Sequence, residues 1–146
     1  MTAEELAAAT GTDAVQRDER ASSRPDLVRE TYRVLDEIYD PCSVATAVPL
    51  GLAEMGVVKA VEASQEGRVV ITLRLTSPFC EMMPYMRTES VRKVQALDGV
   101  TTCVVEHDSG LDWNHDMMAP DARERRQLRF LTLQQDLRSE HASEPE

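Results

Sequence analysis

The stretch that decides the fold reads Arg68-Val-Val-Ile-Thr-Leu-Arg-Leu-Thr-Ser-Pro-Phe-Cys80. Apolar and polar residues alternate from Val69 to Thr76, which is the pattern of a β-strand with one buried face. The predicted core row is Val69, Ile71, Leu73 and Leu75, and the opposite row is Val70, Thr72, Arg74 and Thr76. A cysteine therefore follows the clearest strand of the chain.

Helical spacing replaces this alternation after Cys80. One apolar stripe recurs up to a stop signal at Asp98-Gly99, and it comprises Met83, Met86, Val94 and Leu97. Cys80 is thus predicted to lie at a strand-to-helix junction, where unpaired N–H groups and the helix dipole favour the thiolate. Such a cysteine is nucleophilic and can ligate a metal. The alternative interpretation is a small buried hydrophobic residue, which is the commoner role of a single cysteine.

Composition excludes several classes of function. The chain has 146 residues and a formal charge of −10, from 26 acidic and 16 basic side chains, which argues against nucleic acid as a partner. No apolar run approaches the roughly 20 residues that span a bilayer, and residues 1–20 lack the order of a secretory signal, so a cytoplasmic protein without a membrane partner is expected. The three cysteines, Cys42, Cys80 and Cys103, match neither a disulfide framework nor a zinc ribbon, and reduced thiols are predicted.

The order of predicted elements indicates the fold class. Residues 1–24 have little apolar periodicity and are predicted to be a flexible or weakly helical arm. Pro25 and Asp26 then open a helix whose inward side is Leu27, Thr31, Val34, Leu35 and Ile38. Strands over 57–63 and 69–76 are expected to pair antiparallel through the turn at 64–67, and a third strand covers 100–106. The order helix, strand, strand, helix, strand, plus a C-terminal helix, predicts an α/β (α+β) fold. It is a small sandwich in which helices cover a three- to four-stranded mixed sheet. The main domain is expected over 25–128, with 129–146 as a C-terminal extension and tail.

The last helix, predicted over 120–139, has two interpretations. Its apolar residues are interpreted as one broad stripe, comprising Leu128, Phe130, Leu131, Leu133 and Leu137. Such a stripe either packs on its own domain or binds a partner, which includes a second copy of the chain.

A second candidate constellation is Asp40-Pro41-Cys42, where the first helix ends. If the following loop carries Asp40 and Cys42 toward Cys80, two soft thiolates and one carboxylate suit iron, an iron–sulfur cluster or zinc. Two thiolates do not complete such a site, so further ligands would come from a second subunit, a client protein or a small thiol. The alternative for Asp40-Pro41 is a helix stop with a turn-forming aspartate.

Other candidates carry weaker signals. Thr76 lies on the polar row of the strand and either bonds the Cys80 loop or a ligand, or serves as a cap. Trp113 is interpreted as a lid, because a loop indole normally covers an apolar wall. His107 and His115 flank a loop with three aspartates whose spacing matches no known metal motif, and Cys103 is interpreted as a packing residue.

At this point four segments together resemble a known family: Asp40-Pro41-Cys42, Leu52-Ala-Glu-Met-Gly-Val-Val58, Leu75-Thr-Ser-Pro-Phe-Cys80, and Trp113 with Met118. The chain resembles, over roughly residues 27–128, the small α/β family of metal–sulfur cluster assembly factors that includes SufT and the PaaD proteins of phenylacetate degradation. Two positions depart from the family pattern. Cys42 stands where the family usually has glutamate, and Glu81 stands where it often has proline.

The resemblance implies a function without turnover of a small substrate. Cys80 corresponds to the family cysteine, Asp40 to its helix-stop acid, Thr76 to its strand-end threonine and Trp113 to its loop tryptophan. The cargo would be iron or an iron–sulfur cluster, bound by Cys80 and Cys42 and passed to a client metalloprotein, such as an oxygenase component. Other cluster assembly proteins are further expected partners, and a homodimer would supply four thiolates. Two alternatives stay open: a non-catalytic adaptor that binds a metalloenzyme, and a thiol-transfer enzyme with Cys80 as nucleophile.

Overall fold

The structure, a computed structural model, describes residues 11–45 and 47–142; the side chains of residues 11–13 and 42 lie outside that description. Its elements in chain order are α1 (Gly11–Ala21), α2 (Pro25–Leu35), α3 (Pro41–Ala45), β1 (Val58–Ala63), β2 (Arg68–Leu73), α4 (Met83–Gln95), β3 (Thr102–His107), a 3-10 turn (His115–Met117) and α5 (Pro120–Ala142). The predicted fold class and the order of its core elements are confirmed. None of the helices in the described ranges combines the length and apolar content that crossing a bilayer would need.

The sheet of the described residues has three strands in the order β1-β2-β3. β1 and β2 pair antiparallel across a tight turn, in which the N–H of Gly67 donates to the carbonyl of Ser64 at 3.0 Å. β3 pairs parallel with β2 after the crossover through α4, with Val69 opposite Cys103. The mixed sheet predicted from the sequence is therefore present.

Burial follows the alternation read from the sequence. One row of side chains on β2 and just beyond it is buried, and it comprises Val69, Ile71, Leu73 and Leu75. The row on the opposite face is half-exposed. Helix α2 packs over β1 and helix α4 over β3, and the two helices contact each other. Pro25 opens α2 at its first turn with Asp26 beside it, as predicted. Helices thus cover one face of the sheet and leave the other only partly covered.

Helix α1 covers one of the two edges of the sheet, the one formed by β1. β1 is an edge strand, and its outward polar groups recur at every second residue. Arg17 Nη2 donates to the Lys59 carbonyl at 2.8 Å, the Val61 N–H donates to Asp18 Oδ2 at 3.0 Å, and Ser22 Oγ donates to the Ala63 carbonyl at 2.9 Å. Of the two states predicted for the arm, flexible or weakly helical, residues 11–21 adopt the helical one and dock on α2 and β1. Residues 1–10 lie outside the described residues.

Helix α5 leaves the domain after its second turn. Ala122 is buried, whereas every residue from 130 to 142 is exposed. The helix spans the boundary that the sequence suggested at residue 128, and its apolar residues do not form one stripe. At 3.6 residues per turn, Phe130, Leu133 and Leu137 share one side, and Leu128 and Leu131 lie on the opposite side. Neither row is covered by the domain.

Candidate functional site

Cys80 lies in the loop between β2 and α4. Its side chain is half-buried and packs against the core. The loop folds back on Ser77, whose carbonyl accepts the Cys80 N–H at 3.3 Å and whose Oγ accepts the Phe79 N–H at 3.1 Å. Helix α4 begins only at Met83 with Met82 as its N-cap residue, so Cys80 does not occupy the first turn. The predicted stabilisation by the helix terminus is thereby weakened, because the dipole acts mainly within that turn.

A second loop, residues 108–113, is fastened to the Cys80 loop. Asp108 Oδ1 accepts from the N–H of Leu75 and from the N–H of Gly110, both at 3.0 Å. Gly110 has φ +81° and lies so close to the other loop that an added methyl group would meet the Pro78 nitrogen at 2.5 Å. The sequence interpretation missed Asp108 and Gly110 as positioning residues. The available signal was the Asp-x-Gly spacing, which is typical of a side-chain-stabilised turn.

Asp40 is the N-cap of the short helix α3. Its carboxylate is buried, and Oδ2 accepts the backbone N–H of Ser43 at 3.0 Å. The Asp40 N–H donates to the Leu50 carbonyl at 2.8 Å, and Ser43 Oγ donates to the Asp40 carbonyl at 2.6 Å. The carboxylate therefore has the local turn role that the sequence offered as an alternative. Metal ligation by Asp40 stays a prediction.

The segment after Asp40 meets the start of α4 across a groove. The groove has a volume of about 350 Å³, and its apolar lining includes Tyr39, Pro41, Val44, Met82 and Tyr85. The segment that follows α2 is therefore a neighbour of the start of α4, which the Cys80 loop precedes. The side chain of Cys42 lies outside the described residues, so its approach to Cys80 stays a prediction.

Thr76 and Trp113 have different local environments. Thr76 is half-buried on the polar row, three residues beyond the end of β2. The indole of Trp113 packs against the core, donates from Nε1 to the Met55 carbonyl at 2.7 Å, and lies 5.2 Å from the ring of His115. Trp113 thus anchors its loop to the turn before β1, and its role as a cover over the thiol stays a prediction.

Three other titratable side chains of the region are buried or have local hydrogen-bond partners. Burial raises the pKa of the Cys103 thiol to about 11, which fits the predicted packing role. Arg74 lowers the pKa of the Asp112 carboxyl by a hydrogen bond of 2.8 Å. His107 Nδ1 lies 2.8 Å from the Asp108 carbonyl. Among the described side chains, which exclude Cys42, no three of His, Cys, Asp or Glu form a metal-binding group.

Three comparisons with known proteins bear on this site. A family model described as "Iron-sulfur cluster assembly protein" matches residues 30–106. A Porphyromonas gingivalis protein called "Fe-S protein maturation auxiliary factor" is 28% identical over 93 residues, which cover 64% of this chain and 84% of the relative. The crystal structure of a domain of unknown function, DUF59, from Bacillus anthracis superposes with a TM-score of 0.58 at 22% identity, covering 66% of this chain and 88% of that one. The last likeness shows the fold alone.

The matched range separates two parts of the chain. It contains Asp40, Cys42, Thr76 and Cys80, and it ends before Trp113. Helix α1 and helix α5 lie outside it. The candidate ligands are thus inside the matched range, while α1 and α5 are outside it.

Proposed function

Because the chain belongs to the family of iron–sulfur cluster assembly proteins, we propose that it carries iron or an iron–sulfur cluster on Cys80 and helps to insert it into a client. Cys42 supplies a second thiolate, Asp40 and Thr76 assist, and Trp113 shields the site. The client is a metalloprotein, for which an oxygenase component is one candidate class, and other cluster assembly proteins supply the cargo.

The observation that supports this proposal most directly is the position of Cys80 within the matched range. Its thiol is half-exposed in a loop fixed by Ser77 and by the contact with Gly110. Cys103, in contrast, is buried in β3 with a raised pKa. Since the thiolate is the form that ligates metal, Cys80 is the better ligand of these two.

Cluster ligation needs more ligands than Cys80 alone provides, since the common clusters are held by four cysteines. We propose that the remaining ligands come from Cys42 and from a second molecule, which is either another copy of the chain or the client. A site that lacks some of its four ligands suits transfer, because a thiolate of the second molecule can replace a thiolate that leaves the cluster.

Anaerobic reconstitution with ferrous iron and sulfide tests the proposal. Purified wild-type protein is expected to retain iron and sulfide after desalting and to show the visible absorption of a thiolate-bound cluster. Oligomeric state is measured on the same sample by light scattering. A protein that retains no iron above a bovine serum albumin control contradicts the carrier assignment.

A second candidate function, a non-catalytic adaptor, is favoured by the exposed apolar rows of α5. An adaptor would hold a client through Phe130, Leu133 and Leu137, which are 60%, 38% and 64% exposed. A chain that stops at Arg129 is expected to stay folded, with a thermal midpoint within about 3 °C of wild type, because no deleted side chain that the structure describes is buried.

The same truncation separates adaptor from carrier. In cells that lack the native chain, an adaptor predicts that the truncated protein fails to restore activity of an iron–sulfur enzyme while Cys80→Ser restores it. The carrier predicts the reverse. Iron retention by the truncated protein in the reconstitution assay provides the matched control.

A further inference from the structure

Two large apolar side chains next to Cys80 point into solvent. Phe79 is 87% exposed and Leu111 is 80% exposed, the highest values for large hydrophobic residues in the described part of the chain. Each lies one residue from the place where the two loops touch, since Gly110 packs against Ser77 and Pro78. They therefore flank the same loop contact, and Phe79 directly precedes Cys80 in the chain.

Both loops are held in place without a partner. Asp108 ties the second loop to Leu75 and caps its own turn through Gly110. Farther along, Asp112 pairs with Arg74 at 2.8 Å, and Trp113 is bonded to Met55. A surface that is already ordered loses less conformational entropy on binding than a mobile one. Exposed apolar residues on fixed loops are typical of a binding site.

The two loops that carry this pair contain acidic side chains and neither lysine nor arginine. The segments 75–86 and 107–116 contain Glu81, Asp108, Asp112 and Asp116 and no lysine or arginine. Asp112 pairs with Arg74 and Lys59, and Asp116 pairs with Arg123, all from neighbouring elements. Glu81, beside Cys80, is exposed. With a net charge of −10 for the chain, the field here favours a basic partner and disfavours a second copy.

We propose that Phe79 and Leu111 form a docking patch for a segment of the client that carries a cysteine between apolar and basic side chains. This inference rests on the proposed role of Cys80 as the transfer thiol. A client cysteine that takes over metal from Cys80 must come within bonding reach of the same ion. The residues flanking that cysteine then cover residue 79 and the adjoining Leu111. Burial of both apolar side chains would select the correct segment before the metal moves.

Mixed-disulfide exchange measures this recognition without any metal. Cys80 is activated with Ellman's reagent in a Cys42→Ser background, in which buried Cys103 reacts slowly. A peptide thiolate then attacks the Cys80 sulfur, the new disulfide forms, and nitrothiobenzoate leaves with the electron pair of the broken bond. Its release is followed for the peptides Lys-Leu-Cys-Leu-Lys and Lys-Ser-Cys-Ser-Lys, with rates corrected to equal thiolate concentration.

The expected result is a preference of about tenfold for the leucine peptide, from partial burial of two apolar side chains. This ratio should fall to about one in the double variant Phe79→Ser, Leu111→Ser. The matched control Leu128→Ser, Leu131→Ser removes two exposed apolar side chains from the other side of α5 and should keep the ratio. A ratio near one in the wild-type patch, or a ratio retained in the first double variant, overturns the proposal. The exchange assay contains no iron, so it is independent of the reconstitution assay. If reconstitution fails but the leucine peptide still reacts faster, the carrier function is contradicted and the docking patch is supported.

Discussion

Replacing Cys80 with serine is expected to abolish retention of iron and sulfide and to leave the fold intact. A serine hydroxyl stays protonated at neutral pH and is a poor ligand for iron, whereas a cysteine thiolate is a strong one. Cys80 is only half-buried and its loop is held by backbone contacts of Ser77, so the substitution should cost less than about 1 kcal/mol of unfolding free energy. Iron content after anaerobic desalting and circular dichroism are measured on the same sample.

Two further substitutions make this result specific. Cys103→Ala removes a buried thiol from β3 and should retain wild-type iron, since that side chain faces the core. Cys42→Ser decides whether the second thiolate takes part, and partial or complete loss of iron is expected. A Cys80→Ser protein with wild-type iron stoichiometry would falsify the assignment of Cys80 as the ligand.

Replacement of Asp18 by alanine is expected to cost about 3 kcal/mol of unfolding free energy. The Asp18 carboxylate is 7% exposed, and its Oδ2 accepts from the Tyr32 hydroxyl at 2.6 Å and from the Val61 N–H at 3.0 Å. Without the carboxylate, two buried donors lose their acceptor. Burial, together with the bond to Asp18, raises the pKa of Tyr32 above its usual value, so the hydroxyl remains a donor at neutral pH.

Urea unfolding of a small set of variants tests this assignment. Tyr32→Phe removes one donor and should cost about 1 kcal/mol, and the double variant should show coupling between the two sites. Arg29→Ala removes the exposed ion pair with Glu19 on the same helix pair and should change stability by less than about 0.5 kcal/mol. An Asp18→Ala loss as small as that of Arg29→Ala would show that α1 contributes little to the fold.

The candidate site was only partly predictable from the sequence. Cys80 could be placed because a strand row ends just before it, and Asp40 because proline and aspartate mark a turn. That Asp40 caps its own helix and that Trp113 bonds Met55 depends on which backbone groups lie nearby in space. The close approach of Gly110 to Pro78 joins residues 32 positions apart, and no local pattern records such a contact.

What the sequence by itself determined is the central unit of the fold. Local periodicity and turn chemistry act between residues a few positions apart, and they predict four features. These are the buried row on β2, the hairpin to β1, the start of α2 at Pro25 and the apolar stripe of α4.

Only the tertiary structure decided three features: that α1 covers the edge of β1, that Gly110 fastens two loops beside Cys80, and that α5 projects from the domain. The physical reason is the range of the interactions. An edge N–H, a close backbone approach and an uncovered helix face are properties of neighbours distant in sequence, and those neighbours become adjacent only when the chain has folded.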